Sequence, residues 1–178
     1  EMCIRDSVKT PGDKVFPYIR DHVDQIITIP DTELVEAFLD VMEKHKMVVE
    51  NSGLLSVAAL RHLSCQGLNV VCVLSGGNMD VITMSSVVQQ GLILRDRIFT
   101  VSVLLPDKPG ELSKVAAVVA KEHGNVIKLS HNQFVSINRS AAVELRITME
   151  SFGTEHKQEI ISALEKEGYR PKVVQTNM

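Results

Sequence analysis

Residues 99–112 read F-T-V-S-V-L-L-P-D-K-P-G-E-L, and this stretch decides the fold of the second half of the chain. Apolar residues alternate with polar ones towards Leu105, which predicts a β-strand with one buried face. Pro109 and Gly110 then set up a helix whose first free N–H groups point towards any nearby carboxylate. This arrangement favours amino-acid binding, although Pro and Gly also form ordinary turns and helix caps.

The remainder of this half alternates between the periodicities of strands and helices. Together with the opening strand, these segments give the order βαββαβ, which is typical of a ferredoxin-like α+β fold. The predicted elements are a helix from Leu112 to Gly124, strands over 125–134 and 141–149 joined by a hairpin at Asn138 and Arg139, a helix over 154–167 that stops at Gly168, and a strand over 170–175.

The first half is centred on residues 70–78, V-V-C-V-L-S-G-G-N. A continuous apolar run bounded by turn residues predicts a strand covered on both faces, as in a parallel sheet flanked by helices. Glycines at the end of such a strand allow close approach of a ligand, although a tight turn needs them equally. We also predict a boundary near residue 96, helices over 13–23, 30–45, 52–63 and 81–90, the last stopping at Gly91, and a short strand over 25–29.

Composition narrows the class of protein. With 44% apolar and 23% charged residues the chain is expected to be globular, and a formal charge of -3 without runs of like charge argues against nucleic-acid or membrane-surface partners. Three cysteines without C-x-x-C spacing and six scattered histidines predict neither a disulfide framework nor a metal site. No apolar run is long enough to span a bilayer, so a cytoplasmic location is expected.

Three motifs of the first half carry a resemblance to a known family. They are V-K-T-P-G at 8–12, V-V-E-N-S-G-L-L-S-V-A-A-L at 48–60 and V-V-C-V-L-S-G-G-N at 70–78. In this order they resemble the fold-type II pyridoxal-phosphate (PLP) enzymes, and most closely the threonine ammonia-lyases, also called threonine dehydratases.

The second half resembles an ACT regulatory domain through L-P-D-K-P-G-E-L at 105–112 and G-N-V at 124–126. The two resemblances imply that residues 8–94 are the C-terminal portion of a PLP-dependent catalytic domain and that residues 97–178 are an ACT domain. Residues 1–7 do not match the family.

The resemblance also implies which residues approach the cofactor. Ser75 is expected to face the pyridine nitrogen of PLP, with Gly76 and Gly77 beside it. Glu50 is expected near the edge of the cofactor in a polar network; a charge in the first turn of a helix is the alternative.

No catalytic residue is assigned in this chain. The family's Schiff-base lysine and glycine-rich phosphate cradle lie upstream of the matching region, and neither Lys9 nor Lys14 has the family's lysine context. The complete enzyme is expected to convert L-threonine to 2-oxobutanoate and ammonia, in isoleucine biosynthesis or threonine catabolism, whereas this chain alone is expected to be inactive. Alternatives are a non-catalytic ACT-type amino-acid sensor, or a relative of serine dehydratase or racemase.

For the ACT domain, the resemblance implies an effector contacted by Asp107, Gly110 and Leu112 on the loop and by Asn125 opposite. Isoleucine is the expected effector and valine the second candidate. ACT domains typically pair, and an open sheet has edge strands that benefit from a partner, so a homo-oligomer with effector sites at its interface is expected.

Overall fold

A computed structural model describes residues 12–132 and 143–177, which divide into two compact units between Gly91 and Leu92. Most of the V-K-T-P-G motif, Lys9 and the predicted hairpin at Asn138 and Arg139 lie outside the described residues. Among the described residues, no helix combines the length and the apolar character needed to cross a bilayer.

Helices dominate the first unit. Asp31 and Glu33 lie in the first turn of its longest helix, where negative charge interacts favourably with the helix dipole. The helices are α1 (Phe16–His22), α2 (Asp31–His45), α3 (Leu55–Ala59) and α4 (Val81–Leu94), and short 3₁₀ turns at Asn51–Leu54 and Leu60–His62 flank α3.

The core of the first unit is built around α2. Leu34, Phe38 and Val41 lie at helical spacing and are buried. They pack in one cluster with Leu54 of the adjacent 3₁₀ turn and Val87 of α4. The single helix predicted over 52–63 is instead three short helical pieces, and Gly53 in the first of them lies against the carbonyl of Ser75.

Gly91 has a different role from the predicted one. The sequence predicts that it ends a helix, yet α4 continues through it to Leu94. Gly91 is buried, and a Cβ atom there would lie 2.4 Å from Cδ1 of Leu39 on α2. The glycine therefore permits close packing of α4 against α2.

The structure forms neither predicted strand of the first unit within residues 12–91 as described, so the predicted parallel sheet is not confirmed. Residues 25–29 and Val70–Leu74 are irregular, and Val71 and Val73 are 88% and 72% exposed. The physical reason is that a strand exists only when a neighbouring strand accepts and donates its backbone hydrogen bonds. The described residues of this unit supply no such neighbour.

The second unit is the predicted βαββαβ fold. Its four strands form an antiparallel sheet in the order β2-β3-β1-β4. The elements are β1 (Ile98–Leu105), α5 (Glu111–Lys121), β2 (Asn125–Asn132), β3 (Val143–Glu150), α6 (Thr154–Lys166) and β4 (Lys172–Val174).

One face of the sheet packs against α5 and α6. The alternation in β1 and β3 is confirmed, because the apolar residues of one parity are buried together. Val115 and Val119 contribute the buried side of α5, whereas Leu112 is 40% exposed. The buried residues of this core are Phe99, Val101, Val103, Leu105, Val115, Val119, Leu145, Ile147, Met149, Ile160 and Leu164.

The two helices of this unit end differently. Gly168 has φ +87 after α6, as a terminating glycine should. After α5, however, His123 takes the left-handed conformation with φ 60. Gly124 instead lies close to Val119, since a Cβ atom at this glycine would be 2.8 Å from Cγ1 of that valine.

The connector that precedes β1 is bound to the beginning of α6. Asp96, at φ 55, accepts hydrogen bonds from Thr154 Oγ1 at 2.9 Å and from Lys157 Nζ at 2.7 Å. The amide of Ser151 donates to the carbonyl of Arg97 at 2.9 Å, and its hydroxyl donates to the carbonyl of Asp96. We call Asp96, Ser151, Thr154 and Lys157 the connector clamp.

The connector clamp affects the ionisation of Asp96. Partial burial acts to raise the pKa of this carboxyl, but the hydrogen bonds from Lys157 and Thr154 and the charge of Lys157 outweigh it, so the pKa lies below its ordinary value. Gly153 provides no side-chain cap for α6, and Asp96 adds a negative group at this helix start beside Glu155 of the first turn.

Candidate functional site

Two loops of the first unit approach each other closely at the predicted cofactor residues. The amide of Glu50 donates to the carbonyl of Gly76 at 3.3 Å. A Cβ atom at Gly53 would lie 1.9 Å from the carbonyl oxygen of Ser75, and one at Gly76 would lie 2.2 Å from Oε1 of Glu50. The structure therefore brings Glu50, Ser75 and Gly76 together although 25 residues separate the two loops, and both glycines are required by this proximity.

Serine hydroxyls hold this pair of loops. Ser52 Oγ donates to Oε1 of Glu50 at 3.0 Å, and Ser56 Oγ donates to the carbonyl of Val73 at 3.0 Å. Sequence reasoning did not single out either serine or Gly53; the spacing of S-G-L-L-S along one turned segment was the available signal. The carboxylate is partly buried and fixed, whereas Ser75 and the two glycines after it are exposed.

These residues fit one edge of a PLP molecule. An exposed hydroxyl at Ser75 and the exposed backbone of Gly76 and Gly77 suit contact with a flat ring. The chain has no run of glycines that resembles a phosphate cradle. The described residues thus present an exposed hydroxyl and exposed backbone at 75–77, with the carboxylate of Glu50 against Gly76.

The second unit has a pocket of about 330 Å³ at the turn between β1 and α5. It is lined by Leu105–Leu112 and by His131 of β2, so it includes the predicted effector residues Asp107, Gly110 and Leu112. Gly110 has φ +91, which disfavours other residues, and nothing lies within 4 Å of where its Cβ would be. No side chain caps α5, whose first N–H, that of Glu111, makes only a long hydrogen bond of 3.4 Å to the carbonyl of Lys108.

One ion pair lies at the start of α5. Lys114 Nζ is 2.7 Å from Oε1 of Glu111, and this hydrogen bond and the carboxylate charge raise the pKa of Lys114. Partial burial, followed by the charge of Glu111, raises the pKa of Tyr169 as well. The carboxylate of Glu111 is therefore engaged within the helix, whereas Asp107 is exposed at the pocket.

Asn125 does not share this pocket within one chain. It pairs with Glu150 at the end of β3 that lies beside Ile98, whereas the pocket lies at the Leu105 end of β1. Its Nδ2 donates to Oε2 of Glu150 at 2.7 Å. A separate pocket of about 260 Å³ includes Asn125. The four predicted effector residues are thus divided between opposite ends of the sheet.

His131 also lines the pocket, and sequence reasoning did not single it out among the scattered histidines. It lies opposite Leu145, which places it on the side of the sheet that faces the helices. Only the register of β2 against β3 brings it to the β1–α5 turn, and no local pattern signals that register.

Comparison with known proteins identifies homologous sequences. No family model matches the chain, but curated relatives do. The chain is 38% identical over 165 residues to an L-threonine ammonia-lyase of Geobacter sulfurreducens, covering 92% of this chain and 41% of the relative. It is 30% identical over 169 residues to an L-threonine ammonia-lyase of Thermotoga maritima, covering 94% of this chain and 42% of the relative.

Among solved structures, prephenate dehydratase from Streptococcus mutans aligns with a TM-score of 0.37 at 19% identity, covering 43% of this chain and 40% of that one. The sequence relatives confirm the resemblance inferred from the motifs. The chain is homologous to the L-threonine ammonia-lyase family over 92% of its length and spans 41% of the Geobacter relative.

Proposed function

We propose that this chain is the C-terminal part of a PLP-dependent threonine ammonia-lyase, with a cofactor contact in residues 8–94 and an amino-acid-sensing ACT domain in residues 97–178. The observation that carries the sensing role is the open pocket around Gly110 at the start of an uncapped helix. The cofactor role is supported by the proximity of Glu50, Ser75 and Gly76.

In the complete enzyme, PLP supplies the sink for electrons released at the α-carbon of the substrate. In our proposal the hydroxyl of Ser75 contacts the pyridine nitrogen and, unlike a carboxylate, leaves it largely unprotonated. Glu50, held by Ser52, stiffens the backbone of Gly76 beneath that contact. The covalent anchor, the phosphate cradle and the catalytic base belong to upstream polypeptide.

The exposed apolar segment Val70–Leu74 supports this division. Val71 and Val73 are exposed by 88% and 72%, which is unfavourable in water. Neighbouring strands supplied by upstream polypeptide would cover them. In that setting Val70–Leu74 becomes the predicted parallel strand, and Ser75 lies at its end.

In our proposal, pairing of two copies brings Asn125 to the sensing pocket. All eight residues of β2 are exposed, and the strand lies at an edge of the sheet, where its free backbone groups accept another strand. Two copies of β2, antiparallel about a two-fold axis through the middle of the strand, place Asn125 of one copy opposite Asn132 of the other. Asn125 then lies beside the pocket of the second copy, near its His131.

The test of amino-acid sensing uses a matched pair of glycines. Gly110 and Gly168 both have positive φ values, +91 and +87, and open space around them, so Gly110→Ala and Gly168→Ala introduce similar backbone strain. We expect isoleucine, and more weakly valine, to raise the Tm of the parent chain and of Gly168→Ala but not of Gly110→Ala. Loss of the response in both variants, or none in the parent chain, would refute the assignment.

The test of the catalytic assignment is borohydride reduction in the presence of PLP. We expect no adduct at one defined lysine and no release of 2-oxobutanoate from threonine by this chain. A stoichiometric adduct at a single lysine would show that the chain carries its own anchor. A stand-alone sensor remains the second candidate because the pocket requires no catalytic residue; an upstream coding region with a PLP lysine would exclude it.

A further inference from the structure

The effector pocket contains one residue that does not belong to the β1–α5 turn. Eight of its nine lining residues are the contiguous segment Leu105–Leu112, and the ninth is His131. The side chain of His131 is exposed, and its position opposite Leu145 puts it on the same side of the sheet as α5. A substitution at His131 therefore changes the pocket without changing the turn that forms it.

The pocket also presents two kinds of charge recognition to a free amino acid. The uncapped start of α5 favours a carboxylate, and Lys108 lies on the same turn. Asp107 offers an exposed carboxylate for an ammonium group, since the carboxylate of Glu111 is engaged by Lys114. A free amino acid with its ammonium group at Asp107 would therefore place its carboxylate at the helix start.

His131 is the polar group that faces the helix start from β2. A neutral imidazole carries one N–H donor and a protonated one carries two, and either form can donate to a carboxylate. We propose that His131 donates a hydrogen bond to the α-carboxylate of the bound amino acid, opposite the first N–H groups of α5. This proposal rests on the sensing role proposed above and identifies the ligand group that His131 recognises.

The test removes the donor and the ligand carboxylate separately. Isothermal titration of the parent chain, His131→Leu and His131→Gln is carried out with isoleucine and with isoleucinamide, whose neutral amide replaces the carboxylate. His131→Leu is expected to weaken isoleucine binding about tenfold, because a hydrogen bond to a charged group is lost. His131→Gln restores a donor and is expected to lose less than about threefold, and isoleucinamide is expected to bind the three proteins with similar affinity.

Ser130→Leu is the matched control. Ser130 neighbours His131 on β2, is exposed and lies opposite Arg146 on the other side of the sheet, so its replacement should leave isoleucine affinity unchanged. If Ser130→Leu weakens binding as much as His131→Leu does, the effect comes from the strand and the proposal is wrong.

The remaining outcomes separate this inference from the function on which it rests. Equal loss for isoleucine and isoleucinamide in His131→Leu would make His131 a wall of the pocket and would overturn the proposal. Unchanged isoleucine affinity in His131→Leu, together with loss in Gly110→Ala, would overturn it while leaving the sensing role intact. If the parent chain binds neither ligand, the sensing role fails and the role of His131 fails with it.

Discussion

Two similar apolar segments, one in each unit, differ in secondary structure and in burial. In the second unit Val101 and Val103 lie in a strand with strands on both sides and are completely buried. In the first unit Val71 and Val73 belong to an equally apolar run, yet its backbone forms no strand and both side chains are largely exposed. The contrast teaches that β-propensity is realised only where partner strands and a covering layer are supplied.

The contrast predicts the largest difference in backbone dynamics. Amides in the middle of β1 and β3 should exchange with solvent on the order of a thousandfold more slowly than those of Val70–Leu74, because core strands open only in global unfolding. Hydrogen exchange followed by mass spectrometry measures both regions in one experiment. Uniform protection along the chain would mean that the first unit is complete without upstream polypeptide.

A core substitution tests which face of the sheet is buried in the second unit. Leu145 is fully buried between the sheet and the helices, so Leu145→Ala should lower the free energy of unfolding by about 3 kcal/mol. Leu104→Ala, at a position that is 57% exposed on the adjacent strand, should change it by less than about 0.5 kcal/mol. Urea denaturation followed by circular dichroism gives both values, and similar losses would contradict the described sheet faces.

The packing of α4 on α2 predicts a smaller effect in the first unit. Gly91→Val places methyl groups against Leu39 and should cost about 2 kcal/mol. Gln90→Val introduces the same side chain at an exposed position of the same helix and should cost only about 0.5 kcal/mol of helix propensity. Thermal denaturation compares the two, and equal shifts in Tm would mean that the helices do not approach at Gly91.

The connector clamp predicts the smallest effect and a definite pH dependence. Asp96→Asn should lower the free energy of unfolding by about 1 kcal/mol at pH 7, whereas Glu155→Gln, an exposed carboxylate in the same first turn of α6, should cost a few tenths.

The sign of this pH dependence follows from the lowered folded pKa of Asp96. The stabilisation is fully present above the unfolded pKa of about 3.9 and is lost as the pH falls through the lower folded value. Tm measured against pH for the parent chain and Asp96→Asn should therefore converge in acid. A constant difference down to the lowest pH would rule out ionisation of Asp96 as the cause.

Where local periodicity and tertiary contacts agree, sequence predicted the fold. The alternation in β1 and β3, the order of elements in the second unit and the terminating role of Gly168 are all visible in short windows. The roles predicted for Gly91 and Gly124 were wrong. A glycine beside a helix suggests a terminus, whereas here each makes room for a neighbouring side chain. That requirement depends on another element and leaves no local trace.

The candidate sites likewise contain residues that sequence could group and residues that it could not. The pocket residues Asp107, Gly110 and Leu112 belong to one motif, so sequence could group them. His131 joins them only through strand register, and Ser56 donates to a carbonyl 17 residues away. Asn125 carries the family motif but needs a second copy to reach the pocket in the proposed assembly.

The connector clamp has a practical consequence for anyone who wishes to excise the regulatory module. The strand begins at Ile98, but the acidic group that steadies the start of α6 is two positions earlier. A gene truncated at the strand boundary would encode a module with a frayed second helix, whereas one that retains Asp96 would keep that helix anchored. The useful border of the module is therefore set by its hydrogen bonds and lies before the first residue of its sheet.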